Sequence, residues 1–373
     1  MGDSKAIQKH LELAGKIETG LKTDLTPDNL SLLYTPGVGE ASTAIKNNPE
    51  IANKMTIKGN TVAVVSDGSA VLGLGNVGAS AALPVMEGKA MLFKALADVN
   101  AFPLCLDTQD TEEIIKIVKA IAPNFAGINL EDISAPRCYE IEKRLQEELD
   151  IPVMHDDQHA TAIIILAGLI NANKVIGKDI LKAKVVLAGA GPAGYATAKL
   201  LKDYGVSNVV VCDSKGVITS NRGNLDPHKQ EISTDLYSSE TSTLKACSEA
   251  DAIIGLSRAG AITEDMVKSA SNGVIIFALA NPTPEIMPDI ARNAGAKIVA
   301  TGRNDFPNQL NNVLVFPGIF RGMIDSNIRS VTTEIKIKTA EAIASIVEDP
   351  TPENIIPSVF DPEVAKVVAH SLT

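Results

Sequence analysis

Lys184-Val-Val-Leu-Ala188-Gly189-Ala-Gly191-Pro-Ala-Gly194 decides how this chain folds. The run KVVLA is short, apolar and rich in β-branched side chains, as a strand buried on both faces requires. Glycines at 189, 191 and 194 follow at G-x-G-x-x-G spacing, and the helix-forming run YATAKLLKDYG comes next. Gly189 serves a tight turn, Gly191 lets the backbone approach a pyrophosphate, and Gly194 allows close helix–strand packing. The helix N-terminus then turns N–H groups and a partial positive charge toward the phosphates. A second strand-like run, NVVVC, ends at Asp213, about 20 residues on, where an acid meets the ribose hydroxyls. Strand, glycine turn, helix, strand and acid in this order imply a dinucleotide site in a parallel sheet. Asp213 favours NAD, because its charge repels a 2′-phosphate. Ser214 and Lys215 follow at once and suit that phosphate, so NADP stays open.

The same alternation continues on both sides. Before the motif, apolar runs at 61–65, 102–106, 125–130 and 151–154 read as strands, with helical patterns at 84–97, 111–121 and 136–149 between them. Residues 158–173 read as a helix leading into further strands at 184–188, 208–212, 252–254, 274–278, 297–300 and 313–316. Helical patterns at 327–347 and 362–371 close the chain. The prediction is an α/β fold with two domains. An N-terminal, mainly parallel α/β domain spans 1–160. A Rossmann-type dinucleotide-binding domain spans 161–373, its last helices free to pack back on the first. An amphipathic helix over 5–20 offers an apolar face to the body or to a second copy, and a homodimer is the expected assembly. The segment 34–39, rich in Pro and Gly, reads as a loop.

Composition excludes several function classes. The net charge is −11, Trp is absent and aromatics make up 3%, so nucleic-acid binding lacks its electrostatic footprint and its stacking surface. The longest apolar run, 162–170, is too short to span a bilayer, and the Met-Gly start has Ala6 where a myristoylation signal needs Ser or Thr. Four scattered cysteines form no C-x-x-C pair and suit reduced thiols in cytoplasm. The partner expected is a small-molecule substrate, not a membrane.

Several side chains carry chemistry. Glu131-Asp132 and Asp156-Asp157 each close a strand-like run, and in a parallel sheet such ends meet at the ligand-binding edge. Acids gathered there repel unless a cation joins them, and hard oxygens select Mg²⁺ or Mn²⁺. N-capping of the following helices explains the same acids without a metal. His155 and His159 flank the second pair, but a zinc pair four apart needs helical residues between, and His155 sits at a strand end. Lys89 lies in an apolar helix, where desolvation suits a general base and a snorkelling surface lysine is the plain alternative. Tyr34 is a proton donor or a packed aromatic. Gly73-Leu-Gly75-Asn-Val-Gly78 repeats the glycine spacing without a following strand and acid, and reads as a structural or substrate-site turn.

Together the blocks YTPGVGE (34–40), SDGSAVLGLGNVG (66–78), PVMEGKAMLF (84–93), INLEDI (128–133), HDDQHATA (155–162), GAGPAG (189–194), ALANPTPE (278–285) and TGRNDFPNQLNNVLVFPGIFRG (301–322) resemble the malic enzyme family, in its short bacterial branch. The resemblance implies oxidative decarboxylation of malate to pyruvate with NAD(P) and a divalent metal. It implies Glu131, Asp132 and Asp157 as metal ligands, Lys89 as general base and Tyr34 as general acid. Asn281 and Asn312 would contact substrate and the nicotinamide side, with Asp156 and Thr161 lining the same cleft. Gly189, Gly191, Gly194 and Asp213 would hold the cofactor. The chain departs from the larger animal-type enzymes at Ala70, where they carry a carboxylate-binding arginine, and at Ala160, where glycine is usual. Two rival readings remain: a two-domain dehydrogenase without metal, and a non-catalytic NAD-sensing protein.

Overall fold

Short buried strands alternating with helices build two sheets in the computed structural model, which describes residues 4–71 and 73–373. The Met-Gly-Asp start and Leu72 lie outside the described residues. The first sheet has the order β2-β1-β3-β4, from β1 (Thr61–Ser66), β2 (Asn100–Cys105), β3 (Gly127–Leu130) and β4 (Val153–His155), all parallel. The second has β5 (Lys184–Ala188), β6 (Asn208–Asp213), β7 (Gly216–Val217), β8 (Ala252–Gly255), β9 (Ile275–Ala278) and β10 (Ile298–Thr301) in the order β10-β9-β8-β5-β6-β7. Only β7 is antiparallel in it. The strand order reverses direction at β5, which is flanked by β6 and β8, so a crevice opens beyond its C-terminal end. The α/β class and parallel sheets are as the sequence implies.

One long helix, Asp156–Ile176, joins the two sheets and runs unbroken through position 160. It packs on the glycine-motif helix Pro192–Tyr204 and on Thr333–Ser345. By length and composition it is the one helix among the described residues apolar enough to cross a membrane, but 67% of its most apolar window is buried inside this protein. A helix apolar all round belongs in a core.

The C-terminal helices close over the first sheet. Phe93, in the helix Ala79–Ala97, meets Phe316 and Phe320 at ring-centroid distances of 4.8 and 5.5 Å. A side chain at Gly127 would come within 2.9 Å of the Phe320 ring, so the close approach depends on that glycine. Truncating one such aromatic costs about 3–5 kcal/mol.

Three local expectations change. Residues 313–316 are not a strand: a 3-10 turn, Asn312–Leu314, leads into the helix Phe316–Asp325. Pro317 explains this, since its missing N–H suits a first helical turn and breaks a ladder. The N-terminal helix covers only Lys5–Leu13 and ends at Ala14, in the left-handed region. The loop around Tyr34 is a turn between two helices that the sequence reading did not foresee, Pro27–Leu33 and Val38–Asn47. Among the described residues, none of the helices before residue 60 buries a residue, and Leu11, Leu21, Leu25, Leu32 and Leu33 stand exposed.

Candidate active site

The C-terminal ends of β1, β3 and β4 bring the acid pairs to one edge. Glu131 follows β3 directly, and Asp156 opens the long helix directly after β4. Lys89 lies on the Ala79–Ala97 helix, and all three side chains are buried. Its Nζ donates to Asp156 Oδ2 at 2.6 Å and to Glu131 Oε1 at 3.0 Å. It also stands 3.8 Å from the centroid of Phe316. Asn129 donates to Glu131 Oε2 at 2.9 Å. On the other side, Asn312 donates to Asp156 Oδ2 at 2.9 Å and receives the Thr161 hydroxyl at 3.2 Å. A continuous polar chain therefore runs from Thr161 through Asn312 and Asp156 to Lys89 and Glu131. It ties the second half of the molecule to the first.

The electrostatics follow from this burial. Burial alone lowers the Lys89 pKa, but the adjacent Asp156 and Glu131 carboxylates outweigh it and hold the ammonium above the ordinary lysine range. Glu131 is pushed well above the usual carboxylate range by burial, against the pull of Lys89, with repulsion from Asp156, Asp157 and Asp132 adding to it. Asp156 is also raised, by burial first.

Ligand oxygens of Glu131, Asp156 and Asp157 lie within 4.8 Å of one another. Asp156 Oδ1 is buried with no hydrogen-bond partner among the described residues. Hard oxygen donors this close, with an unsatisfied acceptor beside them, fit a divalent cation. Asp132 stands next to this group, buried and in the left-handed region, with its N–H donating to Asp157 Oδ2 at 2.9 Å. Neither histidine belongs to the acid group.

Glu142, which the sequence reading passed over, fixes the β4–helix junction. Its buried carboxylate accepts from the His155 backbone N–H at 2.8 Å, from Gln158 at 3.2 Å and sits 2.9 Å from His159 Nε2. His155 itself is fully buried, 3.7 Å from Asp157. Arg137, also passed over, anchors the SDGS turn through Asp67 at 2.8 Å and Ser69 at 2.9 Å. The second glycine motif is folded back on that turn, with Val77 and Gly78 N–H groups donating to Gly68 O. A Cβ at Gly73 would come within 3.2 Å of Asn281 O. This motif therefore faces the Asn281 loop, in keeping with the turn role read from sequence. Glu285 pins that loop by accepting from Ser257 and Ala280 N–H groups, both at 2.9 Å.

Tyr34 is not brought into the cluster. It is 67% exposed, while Lys89, Glu131 and Asp156 are buried.

Beyond β5 the glycine turn is tightly folded and open on one side. A Cβ at Gly189 would lie 2.2 Å from Leu256 O, and one at Gly194 would lie 2.1 Å from Gly189 O. Gly191 faces open space. Asp213 ends β6 at the neighbouring position. Its Oδ1 accepts from Lys215 N–H at 2.9 Å, and Arg222 and Lys229 pair with Oδ2. Burial pushes its pKa up, but Arg222 and the other donors outweigh that and hold it below the usual range.

Known proteins share this sequence and fold. Residues 15–146 match the family model described as malic enzyme, N-terminal domain, and residues 159–373 match malic enzyme, NAD binding domain. The chain is 53% identical over 367 residues to an NAD-dependent malic enzyme of Geobacillus stearothermophilus, covering 97% of this chain and 77% of that one. It is 45% identical over 375 residues to an NADP-dependent malic enzyme of Rhizobium meliloti, covering 95% of this chain and 49% of that one. The crystal structure of an NAD-dependent malic enzyme from Thermotoga maritima matches with a TM-score of 0.95 at 47% identity, over 99% of each chain.

Proposed function

The chain belongs to the malic enzyme family, and from that premise we propose that its acid–lysine cluster converts (S)-malate to pyruvate and CO₂. NAD(P) is the hydride acceptor and Mg²⁺ or Mn²⁺ the bound ion. The observation that carries this is Lys89, buried between Glu131 and Asp156 at the acid cluster.

Glu131, Asp132 and Asp157 would hold the ion, and Gly189, Gly191 and Gly194 with Asp213 the dinucleotide. Bound there, the ion would supply Lewis acidity and the dinucleotide a hydride acceptor. Lys89 removes the C2 hydroxyl proton. For this it must become a free amine. Burial favours that deprotonation, and the Asp156 and Glu131 carboxylates oppose it. Asn312, fixed by Thr161, and Asn281, fixed by its Glu285-pinned loop, orient substrate and nicotinamide. After CO₂ leaves, Tyr34 protonates C3 of the enol. The proton taken from the hydroxyl balances the one delivered to C3, so malate and NAD(P)⁺ give pyruvate, CO₂ and NAD(P)H with no net proton.

Tyr34 sits on an N-terminal arm whose leucines are uncovered in a single chain. The chemistry needs it at Lys89. Both facts are met if the arm is covered by a second copy, so that a homodimer completes each site with Tyr34 of the other chain. Tyr34→Phe is expected to suppress pyruvate formation more than the reduction of added oxaloacetate. Mixing Tyr34→Phe with Lys89→Arg protein should restore part of the activity that neither has alone. Equal loss of both reactions removes Tyr34 from the proton path. A mixture as inactive as its components removes the shared site. The four free cysteines suit a reducing compartment, and we place the enzyme in the cytoplasm.

A further inference from the structure

His155 is the last residue of β4 and stands beside Leu130 in the ladder to β3. Its backbone is pinned. The His155 N–H donates to Glu142 Oε1 at 2.8 Å, and the long helix begins at the next residue. The imidazole is fully buried, yet among the described residues neither Nδ1 nor Nε2 has a hydrogen-bond partner. Buried polar side chains are normally satisfied, and one that is not needs a reason. Glu142 does not supply it, because its carboxylate is taken by the His155 N–H, Gln158 and His159. The ring instead faces Asp157, with Nε2 3.7 Å from Oδ2. That same oxygen accepts the Asp132 N–H at 2.9 Å. Of the three acids that come together, Glu131 and Asp156 are buried and Asp157 is not, its side chain being 36% exposed. Asp157 is therefore the acid that packing holds least.

We propose that His155 is a positioning residue for Asp157: its Nε2–H donates to Asp157 Oδ2 and, with the Asp132 N–H, holds that oxygen so that Oδ1 is left for the divalent cation. This rests on the metal reading of the acid group. Carboxylates that ligate a metal are themselves hydrogen-bonded, and those partners set their orientation. A gap of 3.7 Å is longer than a hydrogen bond. A small turn of the half-exposed Asp157 side chain closes it, while the enclosed imidazole stays where β4 holds it. Asp132 presents its N–H from a left-handed backbone, at φ 54°, a conformation uncommon outside glycine. Both donors to Oδ2 thus carry a cost: one is strained, and the other is unpaired until Asp157 reaches it. Such costs persist where the surrounding structure over-determines them, and they gather at functional sites.

The test titrates Mn²⁺ into the full-length protein, without malate or dinucleotide, and reads binding by paramagnetic resonance. The thermal midpoint of the metal-free protein is measured alongside. His155→Leu removes both ring nitrogens and is expected to weaken Mn²⁺ by about 10–100-fold, the worth of an outer partner. Its metal-free midpoint should not fall, because the group removed has no partner there to lose. His155→Gln sets an amide N–H near the place of Nε2 and should recover most of the affinity. His155→Asn reaches only to the place of Nδ1 and should not. Mn²⁺ binding unchanged in His155→Leu would overturn the proposal. Equal weakening in all three variants with a lowered metal-free midpoint would assign His155 to packing and overturn it too. If the leucine variant does not fold, the amide pair decides, and His155→Asn binding as tightly as His155→Gln overturns the proposal. Wild-type protein that takes no Mn²⁺ overturns the metal reading as well, whereas the other contrary outcomes leave that reading standing.

Discussion

Lys89→Arg should lower malate oxidation by about 10²–10⁴-fold, the usual worth of a positioned general base. Arginine keeps the positive charge between Glu131 and Asp156 but cannot release a proton near neutral pH. Loss of rate in this variant therefore reports proton transfer, not collapse of the ion pair. Lys89→Ala adds a second effect. It strands two buried carboxylates, and breaking a buried pair this way costs about 3–5 kcal/mol. The thermal midpoint should drop in Lys89→Ala and stay near wild type in Lys89→Arg, while both still bind dinucleotide at the glycine turn. Turnover of Lys89→Arg within a few-fold of wild type would remove Lys89 from the chemistry.

Asp157→Asn and Glu131→Gln should each weaken Mn²⁺ binding by more than about 100-fold, beyond what losing an outer partner costs, with catalysis falling alongside. The more informative pair is Asp132→Asn and Asp156→Asn. Geometry groups Asp156 with Glu131 and Asp157, whereas the family pattern names Asp132. Asp156 Oδ2 is committed to Lys89 and Asn312 while Oδ1 has no partner among the described residues, so Asp156→Asn, which keeps an oxygen acceptor, should cost Mn²⁺ affinity no more than the roughly 10–100-fold of an outer partner. Asp132→Asn should weaken it as strongly as Asp157→Asn. Paramagnetic resonance of Mn²⁺ titrated into each variant reads this directly, and the opposite ranking would put Asp156 in the ion's shell.

The dinucleotide half was legible from one stretch, because strand, turn and helix there are adjacent in sequence and each glycine answers a local steric demand. The catalytic half was not. Glu131, Asp132, Asp156 and Asp157 each read equally as helix caps, and only the family blocks in order raised them above that. Glu142 was hidden in RCYEIEKRLQEE, where charges at every turn look like a solvated face. Its burial is set by the β4–helix junction, which lies elsewhere in the sequence. Residues 313–316 misled because an apolar run buried by helix packing looks the same as one buried in a sheet. Arg222 and Lys229 sit in a stretch with no periodicity, and only their meeting at Asp213 gives them meaning. Tyr34 was legible as a motif residue, but its exposure on the arm is a fact of the tertiary structure.

The central claim is metal-dependent oxidation with loss of CO₂, and a single assay bears on it most directly. Purified protein is given malate, NAD or NADP and Mn²⁺, with pyruvate and NAD(P)H measured together before and after complete chelation. The account predicts equal amounts of the two products, loss of both on chelation and recovery on adding Mn²⁺ back. Dinucleotide reduction that survives chelation, or that yields oxaloacetate and no pyruvate, would contradict it.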